Sequence, residues 1–369
     1  KTIIIALVLL SVSISAAAGT MFLIHPREIV DTLPQAADDG SRTTLIVGGD
    51  MNLGRNVERI YKNRGAEYLA EGLLPEIKDA DLLFANLECA LTRHDVKRHK
   101  INKPIFHIKA DPSMTTLLDD LGVDVVSLAN NHSIDYGCEG LSEELTALSN
   151  TKIAFGGAGM DKKSASKPSI IESNGIKVGF LFYTTLSADA RASKTRCGVN
   201  HISLSWKNKK ETYKRLRREI RELRKKADVV FVSIHWGANY VTEVRGYMVD
   251  FAQKAIKYGA HGVIGHHAHQ FLGMDSYAGR PILYDTGNFL FDSMDNMWMN
   301  RQGVFKMELS KQGVKSVEFT PYYFKHPERR AIAANKTIRL QTLEHMQKMS
   351  EEIGGKTELR DDHLFLILD

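Results

Sequence analysis

Short apolar runs alternate with helical stretches along most of this chain, and no other feature of the sequence constrains its fold as strongly. Five runs have the length and composition of buried strands, at residues 44–49, 81–85, 123–128, 229–234 and 262–264. Helical patterns lie around them, at residues 66–78, 140–149, 208–227 and 246–258. Strands that alternate with helices form a largely parallel sheet whose faces the helices cover. The alternation therefore predicts an α/β fold.

Two glycine-containing turns predict antiparallel additions to this sheet. Ser173-Asn174-Gly175 lies between two apolar runs, and Lys311-Gln312-Gly313 does the same later in the chain. An Asn-Gly pair between two strand-like runs is a strong hairpin signal. The expected sheet is therefore mixed, with parallel strands at its centre and hairpins beside them.

Each of the five predicted strands leads into a side chain that can bind a metal ion. These residues are Asp50, Glu88, Asn131, His235, and the pair His267 and His269. The carboxyl ends of parallel strands lie along one edge of a sheet, and ligands bind in the crevice outside that edge. Carboxylate, amide and imidazole ligands together suit manganese, iron or zinc. On an extended strand end, the two imidazoles of a His-x-His pair would lie on the same side.

Taken singly, each of these residues has a more common explanation. An Asp after a strand is usually a turn or cap residue, and Asn131 could satisfy its own backbone in the same way. His235 could be a buried, hydrogen-bonded histidine. The coincidence of five strand ends, together with three histidines within Gly265–His269, favours one metal site over these separate explanations.

Six segments, in chain order, carry a family resemblance. They are Gly49–Arg55, Asn86–Glu88, Ala129–Gly137, His235–Gly237, Gly265–His269 and Tyr284–Phe289. Together they resemble the motifs of the poly-γ-glutamate capsule-synthesis family (CapA/PgsA), a branch of the calcineurin-like metallophosphoesterases. The resemblance extends from about Leu45 to Phe324. It implies a four-layer αββα sandwich of mixed sheets.

The resemblance also implies roles for particular residues. It implies a centre for one or two divalent transition metal ions, with Asp50 on the first ion, Glu88 bridging, Asn131 on the second, and His235, His267 and His269 supplying imidazoles. His132 is implied to contact the leaving oxygen, which it could protonate. Asp135 could orient His132 or be a turn residue, and the sequence leaves both open. The place of His266 is also open, because the His-x-His pair starts one residue later than in the classical motif.

Two departures from the superfamily pattern bear on activity. The classical Asp-x-His motif is Asp50-Met51-Asn52 here, so one imidazole is missing unless Asn52 substitutes weakly. Asn239 stands where capsule-family sequences usually carry Glu. A site with these changes could bind metal more weakly, hold one ion, or bind substrate without hydrolysing it.

The N-terminal residues predict targeting out of the cytoplasm. No residue from Thr2 to Ile24 is charged, and the run is long enough to cross a bilayer as a helix. We expect residues 1–24 to be an uncleaved signal anchor in the cell membrane. A cleaved signal peptide, giving a secreted or periplasmic protein, is the alternative, because Ala16–Ala18 has A-x-A spacing. Residues 25–43 then form a linker, 44–324 the metallophosphoesterase-like domain, and 325–369 a C-terminal extension.

Residues 207–226 form a strongly basic segment. They include eleven Lys or Arg and three Glu, within a chain whose net charge is +5. Apolar residues recur in this segment at helical spacing, which predicts an amphipathic helix that covers a sheet. Its basic face is expected to be solvated, and it would also attract an anionic polymer or anionic lipid headgroups. Nucleic acid is excluded as a partner by the expected location.

The cysteine pattern excludes two structural devices. Cys89, Cys138 and Cys197 are far apart and form no CxxC pair, so a disulfide framework or thiolate zinc site is not expected. A single disulfide stays open.

The resemblance suggests a membrane-anchored, extracytoplasmic component of capsule polymer synthesis or export. Poly-γ-glutamate is the expected polymer, and other capsule-synthesis membrane proteins are the expected partners. Two alternatives use the same metal site: a phosphoesterase acting on an extracytoplasmic phosphoester, and an amide hydrolase that trims the polymer. Whether the chain catalyses turnover is left open by the sequence.

Overall fold

The computed structural model describes residues 37–99, 106–292 and 296–368. The expected signal anchor or signal peptide, residues 1–24, and most of the linker lie outside these residues. No helix in the described ranges combines the length and the apolar character needed to span a bilayer.

The described chain contains two main sheets and two short strand pairs. The strands, in chain order, are β1 (Thr43–Met51), β2 (Leu82–Leu87), β3 (Ala90–Leu91), β4 (Lys109–Ala110), β5 (Val125–Ser127), β6 (Ala154–Gly156), β7 (Ala158–Gly159), β8 (Ser169–Ser173), β9 (Ile176–Thr184), β10 (Gly198–Val199), β11 (Val229–His235), β12 (Gly262–His266), β13 (Met274–Tyr277), β14 (Arg280–Leu283), β15 (Asn288–Leu290), β16 (Arg301–Ser310), β17 (Gly313–Lys325), β18 (Arg330–Ala333), β19 (Thr357–Arg360) and β20 (His363–Leu366).

Helices connect these strands and cover the sheets. They are α1 (Arg55–Leu69), α2 (Leu74–Ile77), α3 (Thr115–Asp120), α4 (Gly137–Ser149), α5 (Lys162–Ala165), α6 (Lys209–Arg224), α7 (Gly246–Lys257) and α8 (Lys336–Glu352). Single 3₁₀ turns occur at Pro112–Met114 and Ala188–Ala190. Gly65 interrupts α1 with a φ of 79°.

The large sheet has ten strands and the small sheet has six. The large sheet runs β19-β20-β17-β16-β1-β2-β5-β6, with β15 beside β1 and β18 beside β17, and the small sheet runs β13-β14-β12-β11-β9-β8. Strands β1, β2, β5 and β6 pair in parallel, as do β9, β11, β12 and β14. The two predicted hairpins are confirmed as the antiparallel pairs β8–β9 and β16–β17.

The expectation that one sheet would carry all five site strands is wrong. Strands β1, β2 and β5 belong to the large sheet, whereas β11 and β12 belong to the small sheet. The two sheets pack face to face through a common apolar core. The rings of Phe84 and Phe180, one from each sheet, stack with centroids 5.2 Å apart. The parallel edges of both sheets therefore border the same crevice.

Helices cover the two outer faces. The apolar sides of α1, α3 and α4 share a core with the outer face of the large sheet, and those of α6 and α7 do the same on the small sheet. Helix α6 buries Leu216, Ile220 and Leu223 while Lys214 and Arg217 stay exposed, so the predicted amphipathic helix is confirmed. The layer order is helix, sheet, sheet, helix.

A disulfide joins Cys138, at the start of α4, to Cys197, in the loop before β10. Cys89 is buried with a free thiol. The sequence left a single disulfide open, and the structure contains one.

Candidate metal centre

The candidate site lies where the parallel edges of the two sheets meet. Asp50 is near the end of β1, Glu88 follows β2, and Asn131 lies in the loop after β5. His235 ends β11, and His267 and His269 follow β12. All of these side chains are buried except that of Asn131, which is partly exposed. Packing of the two sheets therefore places carboxylates opposite imidazoles.

Five of the six residues form two overlapping groups of ligand atoms. Glu88, His235 and His267 each offer an atom within 4.8 Å of the others, and so do Asp50, Glu88 and His269. Glu88 belongs to both groups. Asn131 adjoins the first group, because its Oδ1 atom lies 2.6 Å from Nε2 of His235. These buried groups could hold metal, and Glu88 is a candidate ligand in both.

The Glu88 carboxylate supports this fit. The side chain is fully buried, and neither oxygen accepts a hydrogen bond from any described residue. Two imidazoles lie close to it, with Nε2 of His235 at 3.5 Å and Nε2 of His132 at 3.8 Å from Oε1. Burial raises the pKa of Glu88 well above its usual value. A buried carboxylate without hydrogen bonds is costly, and a bound cation offsets that cost.

Asp50 has the opposite environment. Its Oδ1 atom accepts a hydrogen bond of 2.7 Å from the Asn86 amide, and its Oδ2 atom accepts one of 3.1 Å from the His267 backbone. Nδ1 of His269 lies 3.3 Å from Oδ2. Burial raises the pKa of Asp50, but the hydrogen bond from His269 and nearby imidazole charges outweigh burial and hold it below its usual value. Asp50 is therefore ionised and already oriented.

The candidate ligands His267 and His269 lie on a turn, and the expectation of an extended His-x-His strand end is wrong. Strand β12 stops at His266, and His267 and His269 have φ values of 109° and 57°. The Asp285 carboxylate holds this turn: Oδ2 accepts the Ala268 N–H at 2.8 Å, and Oδ1 accepts the Gly287 N–H at 2.9 Å. The sequence reasoning missed Asp285, although its place directly after an apolar run was a usable signal.

His266 lies beside the two groups and belongs to neither. Its Nδ1 atom is 3.0 Å from the Thr286 hydroxyl and 3.8 Å from Oδ1 of Asp50. Burial lowers the pKa of His266 to about 4, so the ring is neutral. The structure thus places His267 and His269, and not His266, among the candidate ligands.

Close packing of backbone explains the glycine before Asp50. A Cβ atom on Gly49 would collide with the Gly287 carbonyl oxygen. The Asp50 N–H donates to that same carbonyl at 2.8 Å. Only glycine lets β1 approach the 285–288 segment this closely. Asn52, two residues after Asp50, uses its Oδ1 atom to accept the Gly54 N–H at 2.9 Å.

His132 and Asp135 form a pair at the edge of the cluster. Nδ1 of His132 is 2.7 Å from Oδ2 of Asp135, which also accepts the Ile108 N–H at 2.8 Å. The Asn130 side chain accepts the backbone N–H of His132 at 2.9 Å. These bonds fix the imidazole so that its Nε2 atom faces Glu88 at 3.8 Å.

Arg55, Asn239 and Tyr240 line a small pocket at the mouth of the site, together with His132 and His269. Arg55 and Tyr240 have φ values of 57° and 64°. Positive φ is uncommon for residues other than glycine, and it concentrates at functional sites. Because His132 and His269 line it, the pocket adjoins the buried cluster.

The fold and this cluster define an α/β protein with a candidate metal centre between two packed sheets. Residues 44–293 match the family model described as "Bacterial capsule synthesis protein PGA_cap". The match includes well over half of the chain, and the protein belongs to that family.

Curated relatives agree with this assignment. The chain is 29% identical over 255 residues to the capsule biosynthesis protein CapA of Bacillus anthracis, with 69% of this chain and 61% of that protein aligned. It is 28% identical to the PGA biosynthesis protein CapA of Bacillus subtilis, with 74% and 69% aligned. A probable polyglutamine synthesis accessory protein of Mycobacterium tuberculosis is 26% identical, with 68% and 74% aligned. The aligned part is thus less than two thirds of the Bacillus anthracis protein.

Solved structures resemble this chain more distantly. A hypothetical protein from Thermus thermophilus has a TM-score of 0.42 and 18% identity, over 79% of this chain and 96% of its own. A putative 5′-nucleotidase from Staphylococcus aureus has a TM-score of 0.42 and 12% identity, over 82% and 58%. Similarities of this size do not indicate a function.

Proposed function

We propose that this protein is a membrane-anchored, extracytoplasmic component of poly-γ-glutamate capsule synthesis or export, and that it works through a divalent metal centre. Family membership supports poly-γ-glutamate as the polymer. The observation that most supports a metal centre is the position of Glu88, a fully buried carboxylate that belongs to two groups of candidate ligands.

The proposed ligands are Glu88, Asn131, His235 and His267 for one ion, and Asp50, Glu88 and His269 for the other. Manganese, iron and zinc all suit this mixture of oxygen and imidazole nitrogen. Divalent ions there would supply Lewis-acid activation of the bond to be broken. Asn52 is committed to the Gly54 backbone, so it does not replace the missing imidazole.

The second candidate function is hydrolysis at this site, of an extracytoplasmic phosphoester or of an amide bond in the polymer. The His132–Asp135 pair favours it. Asp135 accepts a hydrogen bond from Nδ1 of His132 at 2.7 Å, which leaves Nε2 facing the cluster. An imidazole held in this way positions a proton at Nε2 for a departing oxygen or nitrogen.

The extracytoplasmic location is proposed from two features. The apolar run of residues 2–24 suits a signal anchor, with a cleaved signal peptide as the alternative. The Cys138–Cys197 disulfide is typical of proteins that fold in an oxidising compartment.

The exposed basic face of α6 suits attraction of the polymer or of anionic lipid. Other capsule-synthesis membrane proteins are the proposed partners.

The test compares polymer formation with turnover for His132→Ala and the matched variant His261→Gln. His261 is also a buried histidine, and it lies at the far end of β12, away from the cluster. We expect His132→Ala to reduce surface polymer in cells, with membrane association unchanged after alkaline carbonate extraction. Metal-dependent hydrolysis of an aryl phosphate or a γ-glutamyl oligomer, reduced at least about 100-fold in this variant, would support the hydrolase candidates. Normal surface polymer with His132→Ala and also with Glu88→Gln would refute the proposal.

A further inference from the structure

A second pocket opens beside the metal centre, on the small-sheet side of the molecule. It has a volume of about 450 Å³ and is bordered by α5, the segment 191–203 and the first turns of α6. Pockets of this size accommodate ligands of several functional groups. None of the candidate metal ligands lines it.

The lining of this pocket is strongly cationic. Among the described residues that line the pocket, Lys162, Arg191, Lys194 and Arg215 contribute four positive charges, and Glu211 is the single acid. Arg215 is committed, because its Nε atom donates to Glu219 at 2.8 Å and its Nη2 atom donates to the Asn200 side chain. The other three cations form no ion pair with an acid anywhere in the described ranges, so their charges are available to a ligand.

A buried histidine adds a polar group to the pocket wall. The side chain of His201 is buried, and its Nδ1 atom has no hydrogen-bond partner among the described residues. Burial itself, and then nearby Arg191 and Arg215, lower the pKa of this ring. A polar atom left unmatched in a pocket wall is a place where a ligand can make a hydrogen bond.

The backbone connects this pocket to the metal centre. His201 pairs with Thr184 at the end of β9, and the next residue, Thr185, donates its N–H to the His235 carbonyl at 3.0 Å. On the other side, Arg98 donates its backbone N–H to the Asp135 carbonyl at 2.8 Å and pairs with Asp189 at 2.6 Å. The Cys138–Cys197 disulfide ties the pocket wall to α4, six residues after His132. The two sites are thus joined by hydrogen bonds, an ion pair and a disulfide.

We propose that this pocket is a carboxylate-binding subsite that holds the free α-carboxylates of a γ-linked polyglutamate chain next to the metal centre. The choice of polymer rests on the proposed function. The positive charge of the pocket complements the polymer, since each residue of such a chain carries one free carboxylate. The cations of the pocket come from separate segments around its opening, which suits a chain with repeated charges. The subsite holds the chain in place, and the metal centre acts on it.

The test is a binding titration of the full chain carrying Glu88→Gln, with a fluorescent γ-linked glutamate decamer as probe. Arg191→Glu/Lys194→Glu removes two of the available cations from the pocket. We expect it to weaken binding at least about tenfold, as the loss of charge-assisted hydrogen bonds implies. Added salt should weaken binding to the protein whose pocket cations are unchanged.

Lys163→Glu/Lys207→Glu is the matched control. Both lysines are exposed close to the pocket without lining it, and the change in net charge is identical. We expect a loss of at most about twofold, from long-range attraction alone. Equal losses in the two double variants, or no loss in the pocket variant, would overturn the proposal. Inorganic phosphate is titrated in parallel, and a pocket that binds phosphate but not the decamer would also overturn it.

Thermal unfolding of each variant separates lost binding from lost folding, and Arg191→Gln/Lys194→Gln repeats the test without charge reversal. Because every protein in the titration already carries Glu88→Gln, the differences between variants do not depend on an intact metal centre. Failure of the proposed function would appear elsewhere, as normal surface polymer in cells whose metal centre is disrupted.

Discussion

The two sheets contribute different chemistry to the candidate centre. The large sheet supplies the candidate oxygen ligands Asp50, Glu88 and Asn131, and the small sheet supplies the candidate imidazole ligands His235, His267 and His269. Each of the two ligand groups draws on both sheets. Neither sheet alone therefore presents a complete set, and the centre exists only while the Phe84–Phe180 core holds the sheets together. Bound ions would in turn link the sheets.

Glu88→Gln should have the largest effect, because the large sheet contributes this residue to both groups. We expect elemental analysis to find almost no transition metal in the variant, against about one or two ions per chain in the original protein. Glu144→Gln is a close control, since Glu144 is also fully buried with no hydrogen bond to its carboxylate from described residues. Metal retained in Glu88→Gln, or lost equally in Glu144→Gln, would contradict the shared-ligand arrangement.

His267→Ala should have a smaller effect, because the small sheet divides its imidazoles between the groups. The group of Asp50, Glu88 and His269 stays complete, so we expect about half of the metal to remain. His266→Gln should keep all of it, since His266 contacts Thr286 and belongs to neither group. If the His266 variant loses metal and the His267 variant does not, the histidine assignment is wrong by one residue.

Removal of metal tests whether the ions link the sheets. A ligand present at about 100 times its Kd stabilises the folded state by about 2.7 kcal/mol. We therefore expect a chelator to lower Tm by several degrees, measured by calorimetry. The same chelator should leave the Tm of Glu88→Gln unchanged. An equal response in both proteins would mean that the chelator acts away from this centre.

Substitution of Asp275 should have the smallest effect, and it contrasts a second buried group of the small sheet with the histidines of the candidate centre. It lies on β13, and burial raises its pKa to about 6, above the unfolded value of about 4. Its contribution to stability is present below pH 4 and is lost as the pH rises through 6. We expect Asp275→Asn to be more stable than the original protein by about 1–2 kcal/mol at pH 7.5. The difference, followed by urea unfolding, should shrink towards zero at pH 4. A constant difference across this range would assign the effect to packing.

Local sequence patterns predict the parts of this fold that depend on neighbouring residues. Strand ends, the Asn174-Gly175 hairpin and the amphipathic helix α6 all follow from short-range spacing and turn preference. The candidate ligands were found in this way, because each follows an apolar run. Family resemblance supplied the second sheet, which the alternation alone did not.

Features that depend on distant contacts escaped prediction. The turn at His267 and His269 is held by Asp285, which no local spacing relates to it. The disulfide joins cysteines 59 residues apart, and three cysteines give no basis for choosing a pair. The division of strands between two sheets depends on which strands pair, and pairing is decided by packing across the whole domain.

The C-terminal residues bear on how much of this chain forms an independent folding unit. The family match ends at residue 293, yet β20 pairs with β17 through Val317, Glu318 and Phe319, and α8 places Leu343 and Met346 in the core between the sheets. A fragment that ends at residue 293 would lack β16 and β17, which would leave the edge of β1 in the large sheet unpaired. Unpaired edges recruit other chains. Recombinant fragments ending there are expected to aggregate, so the boundary of homology falls inside the cooperative unit.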